Sequence, residues 1–229
     1  TAKHTGIGYD AGSNITSGVE NVTLGHSAGT AITTGYMNTG VGYASLNNTL
    51  DGTKNSALGN FSLVGNTSGN ANCAVGYAAL AANTSGNINV AIGAQALQTA
   101  TTVGSNVAVG YFAGKTLNVG SGVQTGAYNT MLGTQAMENN TDGYENVAVG
   151  YATLNGSGGA AKNVAIGTGA SNSCTGNINT TVGYYAGINI TTGNSIIALG
   201  GYAGTSVSPG GAMTTQTNQV IIGDNWTAN

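Results

Sequence analysis

The chain has 229 residues, a formal net charge of −3, only 5% charged residues, and 40 glycines against one proline. Its four lysines are scattered and form no basic patch, which argues against a nucleic-acid partner. No apolar run is long enough to cross a bilayer, and the two cysteines and two histidines lack metal-ligand spacing. We therefore expect no nucleic acid, no membrane insertion, no metal and no cofactor.

A short repeat runs through the chain, marked by an apolar residue followed by glycine. Nine of the twelve spacings between these glycines are 17 residues, one is 16 and two are 23. Such a strict short period is typical of a solenoid whose coils stack on one another. We call these residues the corner glycines and number repeat positions from them: Gly8, Gly25, Gly42, Gly59, Gly76, Gly93, Gly110, Gly133, Gly150, Gly167, Gly183, Gly200 and Gly223.

Each copy contains the elements of one coil in the same order. In the copy at 146–154, Val147 and Val149 flank an alanine, and this alternation predicts a short strand. Gly150 then permits a sharp corner with positive φ. The following Ala-Leu pair is expected to begin a second short strand, and Thr-Ser-Gly or Thr-Thr-Gly closes the turn. The sequence thus predicts an all-β parallel β-solenoid of about 13 coils, forming one domain over 1–229.

Two rows of small or polar residues accompany the corner glycines. Alanines such as Ala148 and Ala96, two before or three after the glycine, leave room for another backbone, within the coil or in another subunit. Asparagines at position −4 would stack ~4.8 Å apart and form a hydrogen-bonded ladder. They occur in ten of thirteen copies: Asn21, Asn38, Asn55, Asn72, Asn89, Asn106, Asn129, Asn146, Asn163 and Asn179.

A longer period of 34 residues overlies the shorter one. Position +1 is tyrosine in alternate copies, and position −1 alternates as well. Either each 17-residue copy is one coil, or a coil has 34 residues; the first is the favoured interpretation. We expect the rings to pack between coils or subunits, although exposed rings could stack against sugars. The tyrosines are Tyr9, Tyr43, Tyr77, Tyr111, Tyr151 and Tyr184.

The two 23-residue spacings predict longer loops near 115–129 and 205–218. Departures from a regular stack are where binding specificity is usually found, although tolerated surface insertions would look the same. Trp226, in the last copy, is expected to cover the end of the stack. The candidate receptor-binding residues are Leu117, Val119, Gln124, Tyr128, Val207 and Met213.

Nothing in the sequence predicts catalysis. The one local group of acids, Glu138, Asp142 and Glu145, is interpreted as a solvated turn, and the two histidines suggest no triad. Cys73 and Cys174 are about six repeats apart, too far for a disulfide within one stack, so we expect two thiols. The protein is therefore predicted not to be an enzyme.

The repeat wording resembles that of known surface proteins. NVAIG, NVAVGY and NSALG are similar to the head repeats of YadA-type trimeric autotransporter adhesins, and the stretches at 72–89 and 179–195 resemble phage tail-fibre repeats. The ending at 217–226, TNQVIIGDNW, is similar to the stretch ahead of a cleaved chaperone in such fibres. This resemblance implies a left-handed β-roll, a homotrimer and an extracellular location on a virion tail fibre or bacterial surface. Without an initiator methionine, we expect a fragment or processed product.

The leading hypothesis is a trimeric fibre or adhesin segment that attaches to a host cell surface through a glycan or protein receptor. Trimerisation is also expected because a thin two-strand coil with Ala and Gly facing outward would bury too little apolar surface alone. A structural spacer without receptor binding is one alternative. An ice-binding solenoid is another, although no Thr-x-Thr row recurs at a constant repeat position.

Overall fold

A computed structural model describes residues 3–117, 126–156, 158–205 and 214–223. These residues form one sheet of 13 short parallel strands in chain order and contain no helix. The strands are β1 His4–Ile7, β2 Asn21–Leu24, β3 Thr39–Val41, β4 Ser56–Leu58, β5 Cys73–Val75, β6 Val90–Ile92, β7 Val107–Val109, β8 Thr130–Leu132, β9 Val147–Val149, β10 Val164–Ile166, β11 Thr180–Val182, β12 Ile197–Leu199 and β13 Val220–Ile222.

The strand register shows that one 17-residue copy is one coil. Ser56 pairs with Cys73, and Cys73 pairs with Val90, so consecutive copies are direct neighbours. The 34-residue coil is therefore wrong, while the prediction of an all-β parallel solenoid is confirmed. The coils after Leu117 and Thr205 include residues outside the described ranges, so the predicted number of 13 coils stays a prediction, as does the handedness.

The predicted second strand is wrong, because the residues after each corner glycine form turns instead. Positions +2 and +4 have left-handed backbone conformations, such as φ 58° at Gln95 and φ 49° at Leu97. A strand cannot include such residues. Their backbone groups are paired between coils all the same: Gln95 N–H donates to the Tyr77 carbonyl (2.8 Å) and Leu97 N–H to the Ala113 carbonyl (3.0 Å).

The corner itself has the conformation that the sequence predicts. Gly93 has φ +133°, a value that side chains rarely adopt, and a Cβ there would lie 2.4 Å from the Gly110 carbonyl oxygen. Glycine is therefore required twice over, by backbone conformation and by the close approach of the next coil.

The asparagine ladder is confirmed and lies in the interior. Asn72 shows its repeating unit: the side-chain amide donates to Asn55 Oδ1 (3.2 Å) and to the Gly86 carbonyl (2.8 Å), and its backbone N–H donates to the same Asn55 oxygen (3.0 Å). All ten side chains are at most 1% exposed. The ladder ends at Ile196, whose N–H donates to Asn179 Oδ1 (2.9 Å).

The direction of the strand side chains corrects the expected interface. Ala148 and its counterparts at position −2 are buried inside the coil, as are the alanines at +3, such as Ala96. The small residues thus pack within the coil, and the expectation that Ala and Gly face outward is wrong. The outward positions −3 and −1 carry mainly valine, isoleucine, leucine and threonine instead, with one serine and one cysteine.

The side chains at positions −2 and +4 share one space in the core, so a larger residue at one position requires a smaller residue at the other. In regular coils alanine at −2 meets leucine at +4, both buried, as with Ala108 and Leu97. Where −2 is larger, glycine replaces the leucine: a Cβ at Gly114 would lie 2.6 Å from Met131 Sδ, and one at Gly29 would lie 2.6 Å from Thr23 Cγ2. The Ala-(Leu/Gly) alternation in the sequence therefore reflects packing.

This complementarity predicts the outcome of a paired exchange. Gly114→Leu should overpack the core and destabilise the protein by about 1–3 kcal/mol. Adding Met131→Ala removes the clashing sulfur and rebuilds the regular leucine–alanine pair, so the double variant should recover most of the loss. Thermal unfolding of both single variants and the double variant measures this coupling. Additive losses would show that the two positions do not share one space.

Candidate interaction surfaces

The outer side of the sheet is uncharged and mostly apolar along its whole length. We call positions −3 and −1 of all 13 strands the strand face; every −1 residue is valine, isoleucine or leucine, and no residue of the face is charged. At ~4.8 Å per strand the face is roughly 60 Å long. Its large side chains that are more than a third exposed are Ile7, Val22, Leu24, Leu58, Ile92, Val107, Leu132, Ile166, Val182, Ile197, Val220 and Ile222.

The sequence analysis did not predict the strand face, although the alternating pattern of the strands contains it. The pattern at 146–154 placed two valines opposite one alanine, which is compatible with either side facing inward. The coil is thin, so the inward position has room mainly for a small residue, and Ala148 is completely buried. The larger residues therefore face outward, where twelve of them are more than a third exposed.

The rings at positions +1 and +2 form an aromatic stack beside the strand face. His26 lies between Tyr9 and Tyr43, with ring centroids 5.1 and 5.3 Å apart, and Phe61 continues the stack to Tyr77. The prediction of ring packing between coils is thus confirmed for Tyr9, Tyr43 and Tyr77, whereas Tyr111 stacks on Phe112 of its own coil. The +1 tyrosines are still about half exposed, between 46% and 76%.

A second aromatic group lies near the far end of the stack. Tyr184 and Tyr202 are 5.4 Å apart in neighbouring coils, and Tyr185 contacts both of them. Within each group the rings contact one another along the stack. A sugar could therefore stack only on the ring surfaces that remain exposed.

Of the six candidate receptor-binding residues, two lie in the described part of the chain. Leu117 is fully buried in the core, so its side chain is not available to a receptor. Tyr128 is 56% exposed, but it lies in the regular turn before Asn129, at the position that Ile88 and Ile178 take in other coils. Val119, Gln124, Val207, Met213 and also Trp226 lie outside the described residues.

The ends of the predicted loops belong to regular coils. Thr116 N–H donates to the Glu138 carbonyl (3.0 Å), and Gly126 N–H to the Asp142 carbonyl (3.2 Å). The regular stack therefore continues further into the 115–129 segment than the spacing of the glycines indicated.

A row of threonines does recur at position −9. Thr16, Thr33, Thr67 and Thr84 each direct the hydroxyl group to a carbonyl of the next coil, at 2.9–3.1 Å. The row lies in a tight turn, where three successive N–H groups share one carbonyl, as at Thr33. Because these hydroxyl protons are used within the stack, the row does not favour ice binding.

Titratable groups do not converge anywhere in the described chain. No group of three or more His, Cys, Asp or Glu side chains could hold a metal ion there. Both cysteines are free: Cys73 is half-buried in β5 on the strand face, and Cys174 is buried in the core. Burial raises the pKa of the Cys174 thiol, while hydrogen bonds with the Gly176 backbone and the Asn179 side chain act in the opposite direction.

Comparisons of the chain with protein families, characterised proteins and solved structures give no match. Within the described residues, no helix is long and apolar enough to span a membrane. The surfaces described above are therefore the basis for any statement about function.

The Cys174 environment predicts a protected thiol. In a Cys73→Ser variant, Cys174 is the single cysteine, and its alkylation in the folded protein should be slow and should rise only at pH values above the ordinary thiol range. The raised pKa leaves less thiolate at neutral pH, and burial restricts access. Mass spectrometry should show alkylation at least about 100-fold faster in guanidinium chloride. Equal rates with and without denaturant would contradict this environment.

Proposed function

We propose that this chain is a segment of a homotrimeric extracellular fibre or adhesin that attaches to a host cell surface. The observation that carries the proposal is the uncharged strand face, whose apolar side chains remain exposed along the single chain. Exposed apolar surfaces of this length mark sites of association.

A second and third copy of the same chain fit this face best. The face has a ~4.8 Å repeat and extends over every strand, so a parallel copy can match it coil for coil. Closed rotational symmetry buries the same face on each copy and leaves none exposed. The resemblance to trimeric adhesin heads and tail fibres favours three copies over two.

Attachment to a cell surface is supported by the shape of the assembly and by the resemblance. Three parallel solenoids would form a stiff rod with turns and loops on its outside. Tyr128 lies in such a turn and is exposed. Val119, Gln124, Val207 and Met213 stay predicted contact residues. A spacer without receptor binding would share the rod and differ only in lacking such contacts.

The proposal predicts the mass of the native species. Light scattering at several concentrations should give about three times 22.3 kDa. Val107→Lys combined with Leu132→Lys puts charges on the strand face in neighbouring strands, and this variant should be monomeric or aggregated. Ser85→Lys, on an exposed turn, is the matched control and should remain trimeric. A stable wild-type monomer would contradict the assembly.

Cell attachment is tested separately, with fluorescently labelled trimer on a panel of bacterial cells. If the fibre attaches to cells, binding should be saturable on a subset of strains. Tyr128→Ser combined with Gln124→Ala should reduce that binding. A trimer that binds no strain in a broad panel would favour the structural spacer.

A further inference from the structure

Gly156, in the Asn-Gly sequence at 155–156, is one of several residues at position +6 that depart from the regular hydrogen-bond pattern of the stack. In regular coils the N–H at position +6 donates to the +5 carbonyl of the next coil, at 2.9–3.1 Å. Gly156 is at position +6, and among the described residues its N–H has no acceptor. The regular donors are Ala31, Asn48, Gly65, Ala82, Thr99 and Thr116.

The side chain of Asn155 accepts two hydrogen bonds from the preceding coil. Its Oδ1 accepts hydrogen bonds from both the backbone N–H (2.9 Å) and the side-chain amide (3.1 Å) of Asn139. Two N–H donors therefore point at the side-chain oxygen of Asn155, the residue directly before the unbonded Gly156 N–H. Both Asn155 and Gly156 are half-buried, so water reaches them.

We propose that Asn155–Gly156 is a self-deamidation site at which the folded chain promotes the reaction. The Gly156 nitrogen loses its proton to water or hydroxide and attacks Cγ of Asn155. The C–N bond to the side-chain nitrogen then breaks, and ammonia leaves. Water opens the resulting succinimide at either carbonyl, which gives aspartate or isoaspartate at position 155. No oxidant, reductant or cofactor is needed.

Three features of the fold favour this step. The attacking nitrogen is not tied up in an inter-coil hydrogen bond, in contrast to its counterparts in regular coils. Glycine has no Cβ to hinder the approach of its nitrogen. The two N–H groups of Asn139 point at the oxygen on which negative charge develops, which is the arrangement of an oxyanion hole.

Other asparagines at position +5 lack at least two of these features and serve as internal controls. Asn47 and Asn172 direct their side-chain amides to the Ser27 carbonyl (3.0 Å) and the Ala152 carbonyl (2.8 Å). They are followed by Asn48 and by a serine rather than by glycine, and Asn48 N–H is bonded to the Val64 carbonyl (3.1 Å).

The reaction would change the local charge of the stack. A carboxylate at position 155 lies at the same coil position as Glu138 in the coil before it. Like charges in stacked positions destabilise a sheet-like arrangement, and isoaspartate also adds a methylene to the backbone. The site would thus act as a slow, water-driven weak point in an otherwise uncharged stack.

The test is a time course on the full chain at mildly alkaline pH, folded and in denaturant, followed by peptide mass spectrometry. Replacement of amide by carboxyl should occur at Asn155 in the folded protein at least as fast as in the unfolded chain, with the Asn47 and Asn172 peptides unchanged. A folded rate about tenfold or more below the unfolded rate would overturn the proposal, because the fold would then protect the site.

Two variants isolate the role of the donors. Asn139→Ala removes the side-chain donor and should slow deamidation several-fold in the folded protein but not in denaturant. Asn155→Gln should abolish the mass change at this position in both states. An Asn139→Ala rate equal to that of the wild type in the folded state would show that the side-chain donor contributes nothing and would remove it from the assigned mechanism.

Discussion

The asparagine ladder is the interaction on which the rest of the structure depends. From Asn38 to Asn163, each buried amide bonds the preceding asparagine and a carbonyl of the following coil, as at Asn89, so three coils are connected at every step. An unpaired buried amide costs free energy, so the ladder tolerates neither a shift of register nor a missing coil. The 17-residue period follows from this requirement, and insertions are confined to segments away from the strands.

The narrow coil that the ladder maintains also decides what faces outward. At most corner glycines, neighbouring backbones approach so closely that a Cβ would clash with the next coil. The inward strand position is therefore left with room mainly for alanine. Apolar residues that favour strands must then lie on the outside. The strand face is thus a consequence of coil thinness, and the proposed self-association is the means by which that face would be removed from water.

The sequence predicted the fold class, the coil length, the corners and the ladder, because each leaves a strict periodic signal. The second strand could not be excluded from sequence, since the positive φ at residues such as Leu97 is imposed by inter-coil hydrogen bonds and not by residue preference. The strand face was assigned to the wrong side because alternation gives two faces without saying which is inside. The burial of Leu117 was missed because loop limits were inferred from spacing alone.

The most direct test of the ladder is side-chain amide hydrogen exchange measured by NMR. The account predicts that the buried Asn72 and Asn89 amides exchange only through global unfolding, whereas the exposed Asn87 amide, which bonds the Ser85 carbonyl at 2.9 Å, exchanges rapidly. Asn89 amide protons that exchange as fast as those of Asn87 would contradict a closed ladder as the basis of the fold.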